Sequence, residues 1–183
     1  HAALWPAMLM SAGIELPKEI FAHGYFTVNG EKIGKSMGNV VDPFDIVATY
    51  GIDAMRYALI RMIPFGSDGD FSHTRLKEIY QSELSHGIGN LLYRVLSMTE
   101  KYAEGKTPRV KLPLNKHPAP DIIGEAIEKY ALDQALHNIQ GVVGEVNERI
   151  NADKPWKETN KEKIHETLFY CLEALRNIAW ALT

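Results

Sequence analysis

The C-terminal part of the sequence, from Ser72 onward, repeats apolar residues at steps of three and four. Four such stretches follow one another, over residues 72–105, 122–130, 132–151 and 164–182. Apolar residues at these steps fall on one side of an α-helix, so each stretch predicts an amphipathic helix with one apolar stripe. No single helix can bury such a stripe by itself. The pattern therefore predicts an antiparallel helical bundle.

The sequence before the bundle is organised differently. Residues 20–28 are rich in strand-forming types and lead into Asn29-Gly30, the dipeptide most typical of a two-residue β-hairpin turn. Two short helices are predicted next, with Asp42 and Asp53 as their N-caps. Residues 64–70 are turn-rich and are predicted to form a domain junction. The expected fold is mainly α, with a small α/β part before the bundle.

A glycine-rich loop after the hairpin turn carries Lys32, Lys35 and Ser36. Two ammonium groups and a hydroxyl on such a loop can clamp a polyphosphate while charge develops on it. The P-loop motif is excluded, because Asn29 stands where that motif requires glycine. Lysines usually face water, so an ordinary solvated loop remains the alternative. Spacing alone leaves both interpretations open.

Two places in the bundle are candidates for RNA contact. Asn90 and Arg94 share a helix face with Gly87, and this face is predicted to lie away from the core. An amide and a guanidinium side by side can bind base edges, although a solvated helix face is the alternative. Trp156 follows the third bundle helix, where it can stack on an unpaired base or pack as a hinge.

Composition limits the remaining possibilities. The chain has 20 Lys and Arg against 23 Asp and Glu, so no overall basic charge indicates nucleic-acid binding. The single cysteine, Cys171, lies at an apolar helical position and is predicted to be a buried thiol. The seven histidines show no metal-ligand spacing, so zinc is not expected. No apolar run reaches the length of a membrane span, and a reducing, cytoplasmic location is predicted.

The first twelve residues are apolar and begin with His1 rather than methionine. They predict a core helix of a larger domain, so the chain is expected to be a fragment. Trp5 lies in this helix, and core packing is the default for both His1 and Trp5. An aromatic ring beside an imidazole can equally line a small apolar pocket.

Three segments together resemble a known family. Residues 32–36 (Lys-Ile-Gly-Lys-Ser), with 37–43 and 51–57 after them, resemble the Lys-Met-Ser-Lys-Ser signature and following helices of class I aminoacyl-tRNA synthetases. Leucyl, isoleucyl and valyl enzymes share this signature. The opening residues 1–9, the segment 90–94 and Pro155-Trp156 resemble methionyl-tRNA synthetases in particular. The resemblance covers nearly the whole chain.

The resemblance implies an ATP-dependent methionine–tRNA ligase. Lys32, Lys35 and Ser36 would be catalytic, and the two lysines would bind ATP, which such enzymes use with Mg²⁺. His1 and Trp5 would line the methionine pocket. The reaction joins methionine and ATP into methionyl-adenylate and then charges tRNA(Met).

The resemblance also assigns the tRNA-binding residues and the domains. Asn90, Arg94 and Trp156 would meet the anticodon. Residues 1–51 would be the C-terminal end of a Rossmann-type class I catalytic domain, and 52–72 a segment that contacts the tRNA stem. Residues 73–183 would be the α-helical anticodon-binding domain, truncated at its end.

Departures from the family pattern keep two alternatives in view. Ile33 and Gly34 stand where methionine and serine are usual, so the loop has one hydroxyl fewer and more freedom. The first nucleotide motif and any zinc knuckle would precede residue 1, so the fragment alone is predicted to be inactive. The alternatives are another class I synthetase for a hydrophobic amino acid and a non-catalytic helical RNA-binding module.

Overall fold

The fold is described from a computed structural model of the chain. The residues that it describes are 2–28, 30–34, 36, 38–64, 66–110 and 119–183. Most of them are helical, and a small sheet lies among the first helices. The prediction of a mainly α-helical chain with a β-hairpin is confirmed.

The small sheet has three strands in the order β2, β1, β3. Strands β1 (Phe26–Val28) and β2 (Glu31–Lys32) form the predicted antiparallel hairpin. Strand β3 (Gly69–Phe71) lies in the stretch predicted as a junction and runs parallel to β1. Sequence pattern did not indicate β3, because three residues after a turn-rich stretch give no strand periodicity. Helix α1 (Leu4–Ser11) precedes the sheet.

Two short helices, α2 (Pro43–Tyr50) and α3 (Ile52–Met62), follow the hairpin. The predicted cap of α2 is confirmed, since the Asp42 carboxylate accepts a hydrogen bond of 2.8 Å from the Phe44 amide. The predicted cap of α3 is wrong. Gly51, at a φ of 85°, ends α2 and also begins α3, so Asp53 lies inside the first turn of α3. Only glycine adopts this φ at little cost, and it lets the chain turn between the helices without a linker.

The first bundle helix is continuous but not uniform. It consists of α4 (His73–Ile79), a π-helical segment (Tyr80–Gly89) and α5 (Asn90–Ala103). A Cβ atom on Gly87 would lie 3.1 Å from the Ser82 carbonyl oxygen, five residues earlier in the helix. The missing side chain thus permits the wider i to i+5 geometry of a π-helix. The periodicity predicted an uninterrupted α-helix and missed this change in pitch.

The remaining helices are α6 (Ala119–Glu128), α7 (Leu132–Asp153) and α8 (Lys161–Ala181). Their apolar stripes pack together with those of α4 and α5. The largest fully buried side chains come from all of these helices: Leu76, Leu91, Val95, Ile123, Ile139, Val146, Ile150, Leu168 and Cys171, together with Pro155 after α7. Most of the core therefore lies where the sequence periodicity placed it, but Tyr80 and Leu182 of the predicted stripes are exposed.

Side-chain contacts give the direction of the helices around α7. Asp153, at the C-terminal end of α7, accepts a hydrogen bond of 2.7 Å from the Thr167 hydroxyl on the N-terminal half of α8. The two helices are therefore antiparallel. On the other side, Arg94 of α5 contacts Asn147 of α7, and Gly87 lies beside Gln140. From Gly87 to Arg94 on the first bundle helix and from Gln140 to Asn147 on α7, the contacting residues advance in the same direction. The first bundle helix and α7 therefore run parallel.

Candidate functional site

Lys32 lies on the edge strand of the hairpin, as predicted. Lys32 on β2 pairs with Thr27 on β1, and the Lys32 side chain is exposed. The Lys32 ammonium lies 5.6 Å from the centre of the Tyr25 ring. A contact of this kind at an exposed site is worth only about 0.5–1 kcal/mol. Lys32 therefore remains available to an incoming anion.

The loop after Lys32 is closed at its base by Asn39. The Asn39 side-chain oxygen accepts a hydrogen bond of 3.0 Å from the Gly34 amide, and its side-chain amide donates one of 3.2 Å to the Lys32 carbonyl. One side chain thus joins both ends of the loop. Ser36 is exposed on this loop, and Lys35 lies outside the described residues. Sequence reasoning missed Asn39, although asparagine beside glycine is a frequent turn-closing residue.

Asp70 of β3 contacts the hairpin from the other side. One oxygen of its carboxylate accepts hydrogen bonds of 2.8 Å from the Thr27 hydroxyl and of 2.8 Å from the Gly30 amide. The hydrogen bond from Gly30 and then the one from Thr27 lower the pKa of Asp70. The ionised carboxylate therefore binds the hairpin turn at neutral pH. Sequence reasoning missed Asp70, because the contact depends on the unforeseen β3.

The residues predicted for a methionine pocket lie at the start of the chain. Trp5 is in α1 with 46% of its surface exposed, and α1 buries none of its residues among the described part of the chain. His1 lies outside the described residues. The expectation that Trp5 packs in a core is therefore not met within this chain. Its exposed indole is free to form the wall of a pocket.

Arg94 is held against α7 rather than directed away from the bundle. Its guanidinium donates hydrogen bonds of 2.6 Å to the Asn147 side chain and 3.2 Å to the Asn151 side chain. The predicted position of this face is wrong for Arg94, because in α5 it comes three residues after the buried Leu91 and directly before the buried Val95, and so it borders the apolar stripe. Asn90, at the first position of α5, is exposed as predicted. Asn147 and Asn151 were not among the sequence candidates.

Trp156 lies just beyond the C-terminal end of α7. Lys154 ends the helix in a left-handed conformation, Pro155 is buried, and the Lys157 amide donates a hydrogen bond of 2.7 Å to the Lys154 carbonyl. This turn leaves Trp156 with 48% of its surface exposed. The exposure favours a contact surface over a fully packed hinge.

Arg94 and Trp156 thus lie at the same end of the bundle. Asn151, which accepts from Arg94, is five residues before Trp156 and close to the end of α7. Lys154 and Lys157 are exposed on either side of Trp156. A guanidinium, an indole and two ammonium groups at one bundle end can bind a phosphate backbone and stack an unpaired base.

A polar network joins α3 to the bundle. Glu83 of the π-helical segment accepts hydrogen bonds of 2.8 Å from the Tyr57 hydroxyl and of 3.0 Å from Arg61. Gln140 of α7 donates a hydrogen bond of 2.8 Å to the same hydroxyl. Burial, and then the hydrogen bond to Glu83, raise the pKa of Tyr57. The network fixes the segment between the loop and the bundle on two bundle helices.

Other site chemistries find little support. In the part of the chain that the structure describes, no three His, Cys, Asp or Glu side chains come together as metal ligands. Cys171 is fully buried, as predicted, and burial raises its pKa to about 12. Among the described helices, none combines the length and apolar character needed to cross a bilayer.

Comparison with known proteins extends over the whole chain. The family model described as "tRNA synthetases class I (M)" matches residues 1–96, which include the lysine loop, Asn90 and Arg94. The methionine–tRNA ligase of Thermotoga maritima is 43% identical over 190 residues, covering 98% of this chain and 30% of that protein. The methionine–tRNA ligase of Rickettsia bellii is 42% identical over 196 residues, covering 98% of this chain and 38% of that protein.

A solved structure gives the same result. Mycobacterium tuberculosis methionyl-tRNA synthetase in complex with methionyl-adenylate superimposes with a TM-score of 0.88 and 34% identity, covering 99% of this chain and 38% of that one. The free form of that synthetase matches with a TM-score of 0.84. This chain thus spans between 30% and 38% of the length of these relatives.

Proposed function

Because this chain belongs to the class I methionyl-tRNA synthetase family, we propose that it supplies an ATP-binding loop and the anticodon-reading helices of a methionine–tRNA ligase. In this reaction methionine and ATP give methionyl-adenylate and pyrophosphate, and the methionyl group then passes to tRNA(Met). One observation carries the proposal: the superposition on the synthetase with bound methionyl-adenylate covers 99% of the chain. It therefore includes both the lysine loop and the bundle end.

The lysine loop acts on the phosphates of ATP, which enters as its complex with Mg²⁺. Negative charge develops on the departing pyrophosphate while the methionine carboxylate attacks the α-phosphorus. Lys32 and Lys35 stabilise this charge, and the Ser36 hydroxyl donates a hydrogen bond to a phosphate oxygen. The exposure of Lys32 and Ser36 and the Asn39 clamp at the loop base support this assignment.

Methionine recognition is assigned to His1 and Trp5 at the start of the chain. The Trp5 indole packs against the thioether side chain, a favourable sulfur–aromatic contact worth about 0.3–1.5 kcal/mol. Its 46% exposure leaves a face of the ring open for this contact.

Anticodon recognition is assigned to Asn90, Arg94 and Trp156. Arg94 is oriented by Asn147 and Asn151, so its free donors point along a defined direction toward base edges. Trp156 offers its ring for stacking beside them. Asn90 precedes Arg94 by one helical turn and adds a second planar polar group on the same side.

The domain assignment follows the same reasoning. Residues 1–51 form the end of a Rossmann-type catalytic domain, 52–72 contact the tRNA stem, and 73–183 form an antiparallel anticodon-binding bundle. The antiparallel contact of α7 with α8 supports the last of these. The proposed setting is the cytoplasm, where tRNA is charged, and this part of the protein uses no zinc.

Methionine-dependent ATP–pyrophosphate exchange by the full-length protein tests the activity. Methionine should drive exchange far better than leucine, isoleucine or valine, and a preference for one of these three contradicts the proposal. Lys35→Ala should lower the exchange rate at least about 100-fold, as for loss of a transition-state charge contact. Lys129→Ala, which removes an exposed lysine in the turn between α6 and α7, is the control and should leave the exchange rate unchanged. An unchanged rate in Lys35→Ala would favour a non-catalytic RNA-binding module.

A further inference from the structure

The loop that carries Lys32 depends on a residue outside the hairpin. Lys32, Thr27 and Asp70 pair in register across the three strands, Lys32 with Thr27 and Thr27 with Asp70. Residues paired directly across neighbouring strands point to the same face of a sheet. The three side chains therefore form one row on the face that presents Lys32.

The Asp70 carboxylate is the only member of this row that reaches the hairpin turn. Its Oδ1 atom accepts from the Thr27 hydroxyl and from the Gly30 amide, both at 2.8 Å. Gly30 is the second residue of the turn, and Lys32 follows two residues later. A two-residue turn alone leaves the tip of a short hairpin free to twist, whereas this carboxylate fixes it from the neighbouring strand.

The anchor itself is held firmly. Phe71, the next residue, has only 3% of its surface exposed, and the Ser72 hydroxyl caps the first bundle helix by accepting from the Arg75 amide. A Cβ atom on Gly24 would overlap the Ser67 carbonyl, so the backbone segments just before β1 and just before β3 approach each other very closely. Asp70 thus transfers the rigidity of the bundle to the hairpin.

We propose that Asp70 is a positioning residue for the ATP loop, which fixes the hairpin turn so that Lys32 meets the phosphates in one orientation. This inference rests on the proposed function. Misplacing a catalytic group by about 1 Å can cost roughly 100-fold in rate, so a loosened hairpin should slow adenylation while leaving methionine binding unchanged. Asp70 touches neither substrate in this role.

The test compares Asp70→Ala, Asp70→Asn and Thr27→Val in the full-length protein by ATP–pyrophosphate exchange. Asp70→Ala should lower kcat about 10- to 100-fold with an unchanged KM for methionine. Asp70→Asn keeps an oxygen that can accept both hydrogen bonds and should stay within about threefold of wild type. Thr27→Val removes one of the two bonds and should fall between them. A kcat of Asp70→Ala equal to wild type, or an equal loss in Asp70→Asn, would overturn the proposal.

Glu31→Gln is the matched control for charge. Glu31 is an exposed residue on β2 next to Lys32, whereas the Gly30 amide donates to Asp70. Removing negative charge near the phosphates can only help ATP bind, so this variant should equal or exceed wild type. If Glu31→Gln loses as much activity as Asp70→Ala, Asp70 acts by charge and not by position. A joint loss of melting temperature and methionine affinity in Asp70→Ala would show a merely structural role.

A second readout does not depend on activity. The Gly30 amide should be protected from hydrogen exchange in wild type and in Asp70→Asn, and should exchange about tenfold or more faster in Asp70→Ala. Equal exchange in all three proteins contradicts the positioning role. If the wild-type protein shows no methionine-dependent ATP–pyrophosphate exchange, the proposed function fails. Hydrogen exchange of the Gly30 amide then still decides whether Asp70 fixes the turn.

Discussion

Asn147 on α7 offers a sharp test of how the bundle end recognises RNA. Its side-chain amide donates a hydrogen bond of 2.9 Å to the Val143 carbonyl one turn earlier, which directs its oxygen toward Arg94. The guanidinium of Arg94 donates to that oxygen at 2.6 Å. Asn147→Ala removes the acceptor and leaves Arg94 in place. We therefore expect Arg94 to lose its fixed direction while keeping its charge.

The structure sets the size of the effect. Without this partner Arg94 must be ordered when RNA binds, and ordering one long side chain costs about 0.5–1.5 kcal/mol. Because about 1.4 kcal/mol corresponds to a factor of ten, Asn147→Ala should raise the Kd for the anticodon up to about tenfold. The bond from Arg94 to Asn151 is longer, at 3.2 Å, and exposed. Asn151→Ala should therefore raise the Kd only about twofold.

Fluorescence anisotropy with an anticodon stem-loop RNA measures these constants in the full-length protein. The RNA with a CAU anticodon should show the losses, and the same stem with a scrambled anticodon should show almost none. Trp156→Ala is the positive control, because base stacking is worth roughly 1–3 kcal/mol per base. In an Arg94→Ala background, Asn147→Ala should have no further effect. An equal loss for both RNAs, or a full additional loss in that background, would refute the role of Asn147 in orienting Arg94.

Two further predictions concern stability. Glu83→Ala leaves Tyr57 and Arg61 without their shared acceptor. It should lower the free energy of unfolding, measured by urea titration, by about 3 kcal/mol, and Glu83→Gln should lower it less. A change below about 0.5 kcal/mol in Glu83→Ala would show that the network is not needed for stability. Cys171 should resist iodoacetamide in the folded protein and react in concentrated urea. Burial raises the pKa of Cys171 from 9.0 to about 12, so the folded state favours the protonated thiol. The stability that this thiol contributes is present below pH 9 and is lost as pH rises toward 12. Wild type should therefore lose stability over this range, and Cys171→Ala should lose less.

Local sequence signals predicted the hairpin and much of the bundle. Asn29-Gly30 placed the turn, Asp42 with Pro43 placed the start of α2, and the stripe through Ile139 and Val146 placed the face of α7 that is buried. These features depend on contacts between residues close in sequence or on a repeated burial pattern. Such signals are readable from one sequence.

Non-local contacts and small changes in helix pitch were not predictable in this way. Strand β3 pairs with β1 more than 40 residues earlier in the chain, and the Asp70 contact to Gly30 depends on that pairing. The π-helical segment arises where Gly87 and Gly89 allow a close backbone approach, and an apolar repeat does not report it. Arg94 borders the buried stripe of α5, so it contacts α7 instead of facing solvent. Apart from Asn39, whose contacts with Gly34 and Lys32 are local, the missed residues depend on packing between distant segments.

Aminoacylation by the full-length protein tests most directly whether this chain joins an ATP loop to an anticodon reader. With labelled methionine and ATP, tRNA transcripts that carry a CAU anticodon should be charged. The same transcripts with another anticodon should show a kcat/KM at least about 100-fold lower, because each specific base contact is worth about 1–3 kcal/mol. Equal charging of both transcripts, or charging with leucine, isoleucine or valine in place of methionine, would contradict the proposed function.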